Sequence, residues 1–151
     1  MYDDGARAFV RSWKERGRRD LAATAAQLVV AIVPRPPVDL ITAVPTDNDR
    51  GLSRGHSTAA ALASELATAW SIPLQSPLRR RPGVKRQRDL PRTKRRGNVA
   101  RAFFTRGQIT GRVLLVDDVY TTGSTATACA TELRRAGAGR VDVVCFVRAV
   151  R

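Results

Sequence analysis

The stretch Val113-Leu-Leu-Val-Asp-Asp-Val-Tyr-Thr-Thr-Gly-Ser-Thr125 joins a short apolar run to two acids and a turn rich in hydroxyl groups. The apolar run is continuous, which predicts a strand over 112–116 that is buried on both faces. Apolar residues at helical spacing follow the turn and predict a helix over 124–136. Strand, turn and helix in one unbroken stretch indicate a βα unit of a parallel sheet.

The same alternation extends over most of the chain. Periodicity predicts helices over 3–16, from Asp20 to the prolines that begin at Pro34, and over 59–70, with strands over 40–44 and 141–147 and a short edge strand over 72–76. The apolar face predicted for the helix that begins at Asp20 consists of Leu21, Ala25, Leu28, Val29 and Ile32. Continuous apolar strands are typical of sheets covered by helices on both faces. We therefore expect an α/β fold with a doubly wound, mainly parallel sheet.

Length and composition indicate one globular domain over residues 1–151. The chain has 43% hydrophobic and only 5% aromatic residues, so small aliphatic side chains fill the expected core. The longest apolar stretch, 21–33, is too short to span a membrane, and the first residues do not resemble a secretory signal. These features predict a cytoplasmic protein. Cys129 and Cys145 are too few for a disulfide framework or a metal cluster and are expected to be core residues.

A formal net charge of +14 indicates anionic partners. Ten basic residues against the single acid Asp89 give the segment 79–96 a local net charge of +9. This charge run is compatible with a solvated face, a nucleic-acid strip or a loop that grips pyrophosphate. Because prolines and glycines interrupt the segment 79–101, we expect a flexible loop or an irregular hairpin there.

The two acids and the turn after them lie where open α/β sheets bind ligands, beyond the carboxyl ends of the strands. Adjacent carboxylates repel unless a cation, hydroxyl donors or water satisfy them, and vicinal sugar hydroxyls are suitable donors. Thr121–Thr125 would supply hydroxyls and backbone N–H groups at a helix N-terminus, and Gly123 permits the positive φ of such a turn. These features fit a ligand with a diol and a phosphate, such as ribose 5-phosphate.

Apolar strands that end in two acids also occur in Walker-B strands and receiver domains, and a pair of solvated acids is a further alternative. No G-x-x-x-x-G-K-[ST] sequence is present, which disfavours a P-loop nucleotide triphosphatase.

On these residues, 113–125 resembles the phosphoribosyl-pyrophosphate motif of type I phosphoribosyltransferases. More narrowly, the chain resembles the ComF family along nearly its whole length. The elements that carry this resemblance are Trp13-Lys-Glu-Arg-Gly17, Ala43-Val-Pro45, Arg50, Arg54-Gly55, Gln87, Leu90, Asn98, Ala102-Phe103 and Asp117 to Thr125.

The resemblance implies a Rossmann-like core with a small irregular hood that binds phosphoribosyl pyrophosphate with magnesium, and a homodimer. It assigns the ribose hydroxyls to Asp117 and Asp118. The implied ligands of the 5-phosphate are Thr121, Thr122, Gly123, Ser124 and Thr125. Pro45 and Thr46 correspond to the pyrophosphate loop, and the candidate pyrophosphate contacts are Arg50, Arg54, Lys85 and Arg86, with plain surface charge as their alternative.

Three departures limit the assignment. Purine-salvage members carry an acid where Thr121 stands, the cysteine-rich zinc module of many ComF proteins is missing, and His56-Ser57 replaces an aromatic residue and Asn. Two hypotheses follow. One is an enzyme that transfers a phosphoribosyl group to a nitrogen nucleophile. The other is a non-catalytic ComF-like DNA-uptake accessory that senses phosphoribosyl pyrophosphate or binds single-stranded DNA, although 79–101 contains no aromatic residue for base stacking.

Overall fold

The computed structural model describes residues 20–45, 57–81 and 101–148, together with Ser12. Its elements in chain order are α1 (Asp20–Ile32), β1 (Leu40–Ala43), α2 (Thr58–Trp70), β2 (Leu78–Arg80), β3 (Phe103–Thr105), β4 (Arg112–Tyr120), α3 (Ser124–Arg135) and β5 (Arg140–Arg148). The helix predicted over 3–16 lies outside the described residues, apart from Ser12.

The main sheet has the strand order β1-β4-β5, and both pairings are parallel. The register of β1 on β4 runs from Leu40 opposite Val113 to Ala43 opposite Val116. Parallel neighbours need crossover connections, and helices are the usual solution. The predicted parallel α/β architecture is confirmed.

Alternating side chains of the sheet enter two hydrophobic clusters. Leu114 and Val116 pack in a cluster with α1 and α2, whereas Val113 and Leu115 pack in a second cluster with α3 and the β2–β3 pair. Successive residues of a strand point to opposite faces, so β4 supplies both clusters. The sheet is therefore covered on both sides, which explains why its central strand is uniformly apolar.

Helix α1 buries only part of its predicted face: Ala25 and Val29 are buried and Leu21 packs against the core cluster, as expected. Leu28 is 50% exposed and Ile32 82% exposed, although both were expected inside, whereas Ala22 and Ala26 are buried. Small side chains let two helices approach closely, and α1 packs against α2 through this alanine-rich stripe. Counting large apolar residues therefore placed one side of the stripe, Leu28 and Ile32, wrongly.

The segment 79–101 was predicted as a flexible loop or an irregular hairpin, and its first residues, Arg79 and Arg80, belong to strand β2, which favours the hairpin alternative. β2 pairs with β3 in antiparallel register, with Arg80 opposite the fully buried Phe103. The Arg80 guanidinium lies 5.5 Å from the Phe103 ring centroid, and that of Arg81 lies 5.3 Å from the Phe104 ring centroid. Cross-strand packing of arginine on phenylalanine stabilises this pair of strands. Residues 82–100 lie outside the described part of the chain.

The edge strand predicted over 72–76 is reduced to one parallel bridge between Ile41 and Leu74. The Ile41 N–H donates to the Pro73 carbonyl at 2.8 Å, and the Gln75 N–H donates to the Ile41 carbonyl at 3.0 Å. Pro73 has no N–H to donate, which restricts it to an edge position.

Among the described residues, none of the helices combines the length and apolar character that crossing a bilayer requires.

Candidate functional site

Strand β4 extends further than the sequence predicts. It runs from Arg112 to Tyr120, so Asp117 and Asp118 lie inside the strand instead of after it. The extra length is paired with β5 alone, from Asp117 opposite Cys145 to Tyr120 opposite Arg148, because β1 ends opposite Val116. The two acids consequently lie at the carboxyl edge of the sheet, where β4 extends beyond the end of β1.

The two acids belong to opposite faces of the sheet, as the alternation of β4 requires. Asp117 lies on the α3 side, where burial first and its negative charge second raise the pKa of the Cys129 thiol above its usual 9.0. The same two causes raise the pKa of Cys145. One Asp117 oxygen, Oδ1, accepts a hydrogen bond from the Asp118 N–H at 2.9 Å. The expected repulsion between adjacent carboxylates is reduced because the strand separates them.

Asp118 lies on the other face, against the N-terminus of α2. The Thr58 hydroxyl donates a short hydrogen bond to Oδ2 of Asp118. Ser57 caps the helix by accepting from the Ala60 N–H at 3.1 Å, which satisfies one of the N–H groups of the first turn of α2. The sequence pointed to sugar hydroxyls of a ligand as donors to the acids, and it did not identify Thr58 as a donor from the protein itself.

The turn between β4 and α3 has the conformation that an anion site requires. Gly123 adopts φ +73° and ψ −2° as the N-cap of α3, where it provides no side chain to cap the first turn. The hydroxyls of Thr122 and Ser124 lie 2.9 Å apart, and the Ser124 N–H donates to the Thr122 hydroxyl at 3.4 Å. The first turn also contains no acidic residue. Backbone N–H groups that receive no cap from residue 123, nearby hydroxyls and the positive end of the helix dipole together suit a phosphate.

Tyr120 and Arg148 complete the turn, and the sequence analysis gave neither a role. A Cβ at position 123 would lie 2.1 Å from the Tyr120 hydroxyl oxygen, which shows how closely the ring covers the glycine. The Arg148 guanidinium lies 5.9 Å from the Tyr120 ring centroid. Tyr120 stands inside the quoted motif, whereas Arg148 becomes a neighbour only through the register of β5 on β4.

Of the candidate residues for pyrophosphate binding, the structure describes only Pro45. Pro45 is buried directly after β1, where the Val44 N–H donates to the Val116 carbonyl at 2.9 Å and holds this end of the strand beside β4. The remaining candidates lie outside the described residues; these are Thr46, Arg50, Arg54, His56, Lys85 and Arg86. Their roles stay predictions.

The described residues contain no cluster of three or more histidine, cysteine or acidic side chains that would enclose a metal ion. Magnesium is usually bound by one or two carboxylates and completes its shell with water and substrate phosphates. Asp117 and Asp118 with the nearby hydroxyls are oxygen donors of this kind. The site therefore fits a magnesium ion that is shared with a phosphorylated ligand.

Comparison with known proteins identifies the fold of the chain. No family model matches the chain, and no curated protein matches its sequence. Among solved structures, the glutamine phosphoribosylpyrophosphate amidotransferase of Bacillus subtilis, complexed with ADP and GMP, superimposes with a TM-score of 0.57 at 23% identity over 83% of this chain. The chain spans only 26% of that protein, about a quarter of its length.

Two smaller proteins match over most of their own length. The adenine phosphoribosyltransferase of Thermoanaerobacter pseudethanolicus has a TM-score of 0.55 at 14% identity, with 89% of this chain and 84% of that chain covered. The orotate phosphoribosyltransferase of Aeropyrum pernix has a TM-score of 0.52 at 17% identity, with 87% and 73% covered. The chain therefore has the type I phosphoribosyltransferase fold, a parallel sheet flanked by helices.

Proposed function

We propose that this protein binds phosphoribosyl pyrophosphate with magnesium and transfers its phosphoribosyl group to a nitrogen nucleophile. The observation that carries the proposal is the continuous unit formed by Asp117, Asp118 and the uncapped turn at Gly123, at the carboxyl edge of a parallel sheet. The fold supports it, since the solved proteins that superimpose on the chain include two phosphoribosyltransferases and a phosphoribosylpyrophosphate amidotransferase.

In this proposal the 5-phosphate binds at the start of α3. The N–H groups of the first helical turn and the hydroxyls of Thr121, Thr122, Ser124 and Thr125 donate to the phosphate oxygens. Gly123 supplies the positive φ of this turn. The Tyr120 ring fills the side on which a Cβ would lie, so in this proposal the phosphate approaches the turn from another side.

Asp117 and Asp118 then accept hydrogen bonds from the ribose hydroxyls. Departure of pyrophosphate gives the sugar C1 a positive, oxocarbenium character, and carboxylates held near the ribose stabilise that charge as it develops. Two carboxylates on opposite faces of one strand can contact different sides of a ligand that lies across the strand end.

The leaving pyrophosphate carries the opposite charge. Magnesium supplies the Lewis acid that neutralises this charge when it is bound with the substrate. We assign Pro45 and Thr46 to the loop beneath the pyrophosphate, and Arg50, Arg54, Lys85 and Arg86 to cationic contacts with it. Closure of the basic segment over the ligand would exclude water from the reacting centre.

The acceptor is a nitrogen nucleophile outside purine salvage, because Thr121 stands where purine-salvage enzymes carry an acid. We further propose that the protein has a role related to that of ComF proteins, acts in the cytoplasm and forms a homodimer. The resemblance to the ComF family supports this. Size-exclusion chromatography with light scattering measures the oligomeric state directly.

Calorimetric titration of phosphoribosyl pyrophosphate with magnesium tests the pocket. We expect saturable heat with the wild type and a loss of at least tenfold in affinity for Asp118→Asn, since hydrogen bonds to a charged group are worth about 1.5–3 kcal/mol. Pyrophosphate release in the presence of a panel of nucleobases and amines then tests transfer. Absence of heat with the wild type would refute the proposal.

A second candidate function is binding of single-stranded DNA by a non-catalytic sensor. The observation that favours it is the β2–β3 pair, where Arg80 and Arg81 stack on Phe103 and Phe104 beside the basic segment. Phe103 is buried, so the paired strand supplies one partly exposed aromatic ring, Phe104, that 79–101 lacks. We expect affinity for an oligothymidine to fall steeply with added salt and to decrease when Phe104, the less buried of the two rings, is replaced by alanine. Affinity independent of salt would exclude this mode.

A further inference from the structure

Thr58 is unusual among the described residues because it is a buried polar side chain at the candidate site. Its exposed fraction is 4%, and its hydroxyl donates to Oδ2 of Asp118. Burying a hydroxyl is costly unless it is hydrogen-bonded, and the carboxylate satisfies this requirement. The partner lies 60 residues further along the chain, so only the fold brings the two groups together.

The hydroxyl of Thr58 has no role in capping its own helix. Ser57 performs that function, with its side chain on the Ala60 N–H and its carbonyl on the Ala61 N–H at 2.9 Å. The first turn of α2 contains no acidic residue of its own, so Asp118 from β4 is the carboxylate that faces this helix end. A negative charge there interacts favourably with the helix dipole.

The arrangement distinguishes the two acids. Asp117 shares its face of the sheet with α3 and accepts from the backbone of its neighbour, whereas Asp118 is held by a side chain of another element. A carboxylate has about four lone-pair positions, so the bond from Thr58 leaves capacity for further donors. The bond also fixes the rotamer of Asp118 and thereby the direction in which the remaining lone pairs of its carboxylate point.

We propose that Thr58 is a positioning residue that orients the Asp118 carboxylate toward the ribose hydroxyls of phosphoribosyl pyrophosphate. This inference rests on the proposed function. Thr58 acts through Asp118 and does not touch the reacting atoms. Without the hydroxyl, Asp118 loses a bond that fixes its orientation, and binding weakens by the cost of restoring that orientation.

The test is a calorimetric titration of phosphoribosyl pyrophosphate with magnesium into matched variants. Thr58→Val preserves shape and removes the hydroxyl, and we expect roughly tenfold weaker binding. Thr58→Ser keeps the hydroxyl and should bind within about twofold of the wild type. Ser57→Ala is the control for the helix end: it lowers the melting temperature through loss of the cap and leaves the affinity unchanged.

A double-mutant cycle separates positioning from a general structural effect. If Thr58 acts through Asp118, then Thr58→Val adds no further loss of affinity in the Asp118→Asn background. Equal affinity of Thr58→Val and wild type, or fully additive losses in the cycle, would overturn the inference while leaving the proposed function intact. A wild type that gives no heat would instead overturn the proposed function, and with it this role of Thr58.

Discussion

Replacement of Gly123 by alanine tests whether the turn after β4 is built for an anion. Two costs can be worked out from the geometry. Gly123 has φ +73°, a conformation that costs an L-residue about 1–2 kcal/mol. A Cβ there would also lie 2.1 Å from the hydroxyl oxygen and 2.6 Å from Cζ of Tyr120, so the ring must move. Displacement of the ring endangers its contact with Arg148, worth about 0.5–1 kcal/mol.

Gly107 is a matched control, since it has nearly the same φ of +77° and nothing within 4 Å of its Cβ position. Gly107→Ala should lower the free energy of unfolding by about 1 kcal/mol, and Gly123→Ala by about 2 kcal/mol. For a chain of this length each kcal/mol corresponds to about 2–4 °C in melting temperature, so we expect decreases of about 3 °C and about 6 °C. Thermal melts followed by circular dichroism measure both.

The contribution of Tyr120 is isolated by repeating the substitution in a Tyr120→Ala background, where the cost of Gly123→Ala should fall to that of Gly107→Ala. Calorimetry completes the comparison: Gly123→Ala should weaken binding of phosphoribosyl pyrophosphate at least tenfold, and Gly107→Ala should not change it. If both glycine variants melt together and bind equally well, then the turn has no special relation to the ligand and the reasoning is wrong.

Three further predictions concern the surroundings of the site. Burial and Asp117 raise the pKa of Cys145 above 9.0, so its alkylation rate, located by mass spectrometry, should continue to rise with pH where that of free cysteine levels off; a plateau at the same pH as free cysteine would contradict this. The unfolded thiol loses its proton at lower pH than the folded one, so stability should fall as the pH rises above about 9, and Cys145→Val should reduce that slope in denaturant titrations. Phe103→Ala should lower the free energy of unfolding by about 3–5 kcal/mol, because the ring is 1% exposed. Phe104→Ala should lower it clearly less, because that ring is partly exposed. Equal losses in urea unfolding would show that the β2–β3 pair does not share the core. Ser57→Ala should cost about 1 kcal/mol by the same assay, and no change would mean that α2 begins elsewhere.

Much of the fold follows from local pattern. The continuous apolar runs predicted the parallel strands, and the helical spacing after Gly123 predicted α3 to within one residue of its observed end. The predictions failed where a distant partner decides the outcome. β5 prolongs β4 beyond Val116, Phe103 turns the start of the basic segment into a strand, and packing against α2 selects the alanine stripe of α1.

Some features of the candidate site likewise follow from local sequence, and others depend on tertiary contacts. The sequence by itself determined the nature of the turn, because two acids, several hydroxyls and a glycine with positive φ are properties of consecutive residues. Only the tertiary structure decided how the acids are used: β4 directs Asp117 and Asp118 to opposite faces, α2 brings Thr58 to one of them, and β5 brings Arg148 onto Tyr120. The physical reason is that local conformation depends on neighbours along the chain, whereas the partners of a carboxylate or a ring depend on strand register and helix packing, which join residues far apart in sequence.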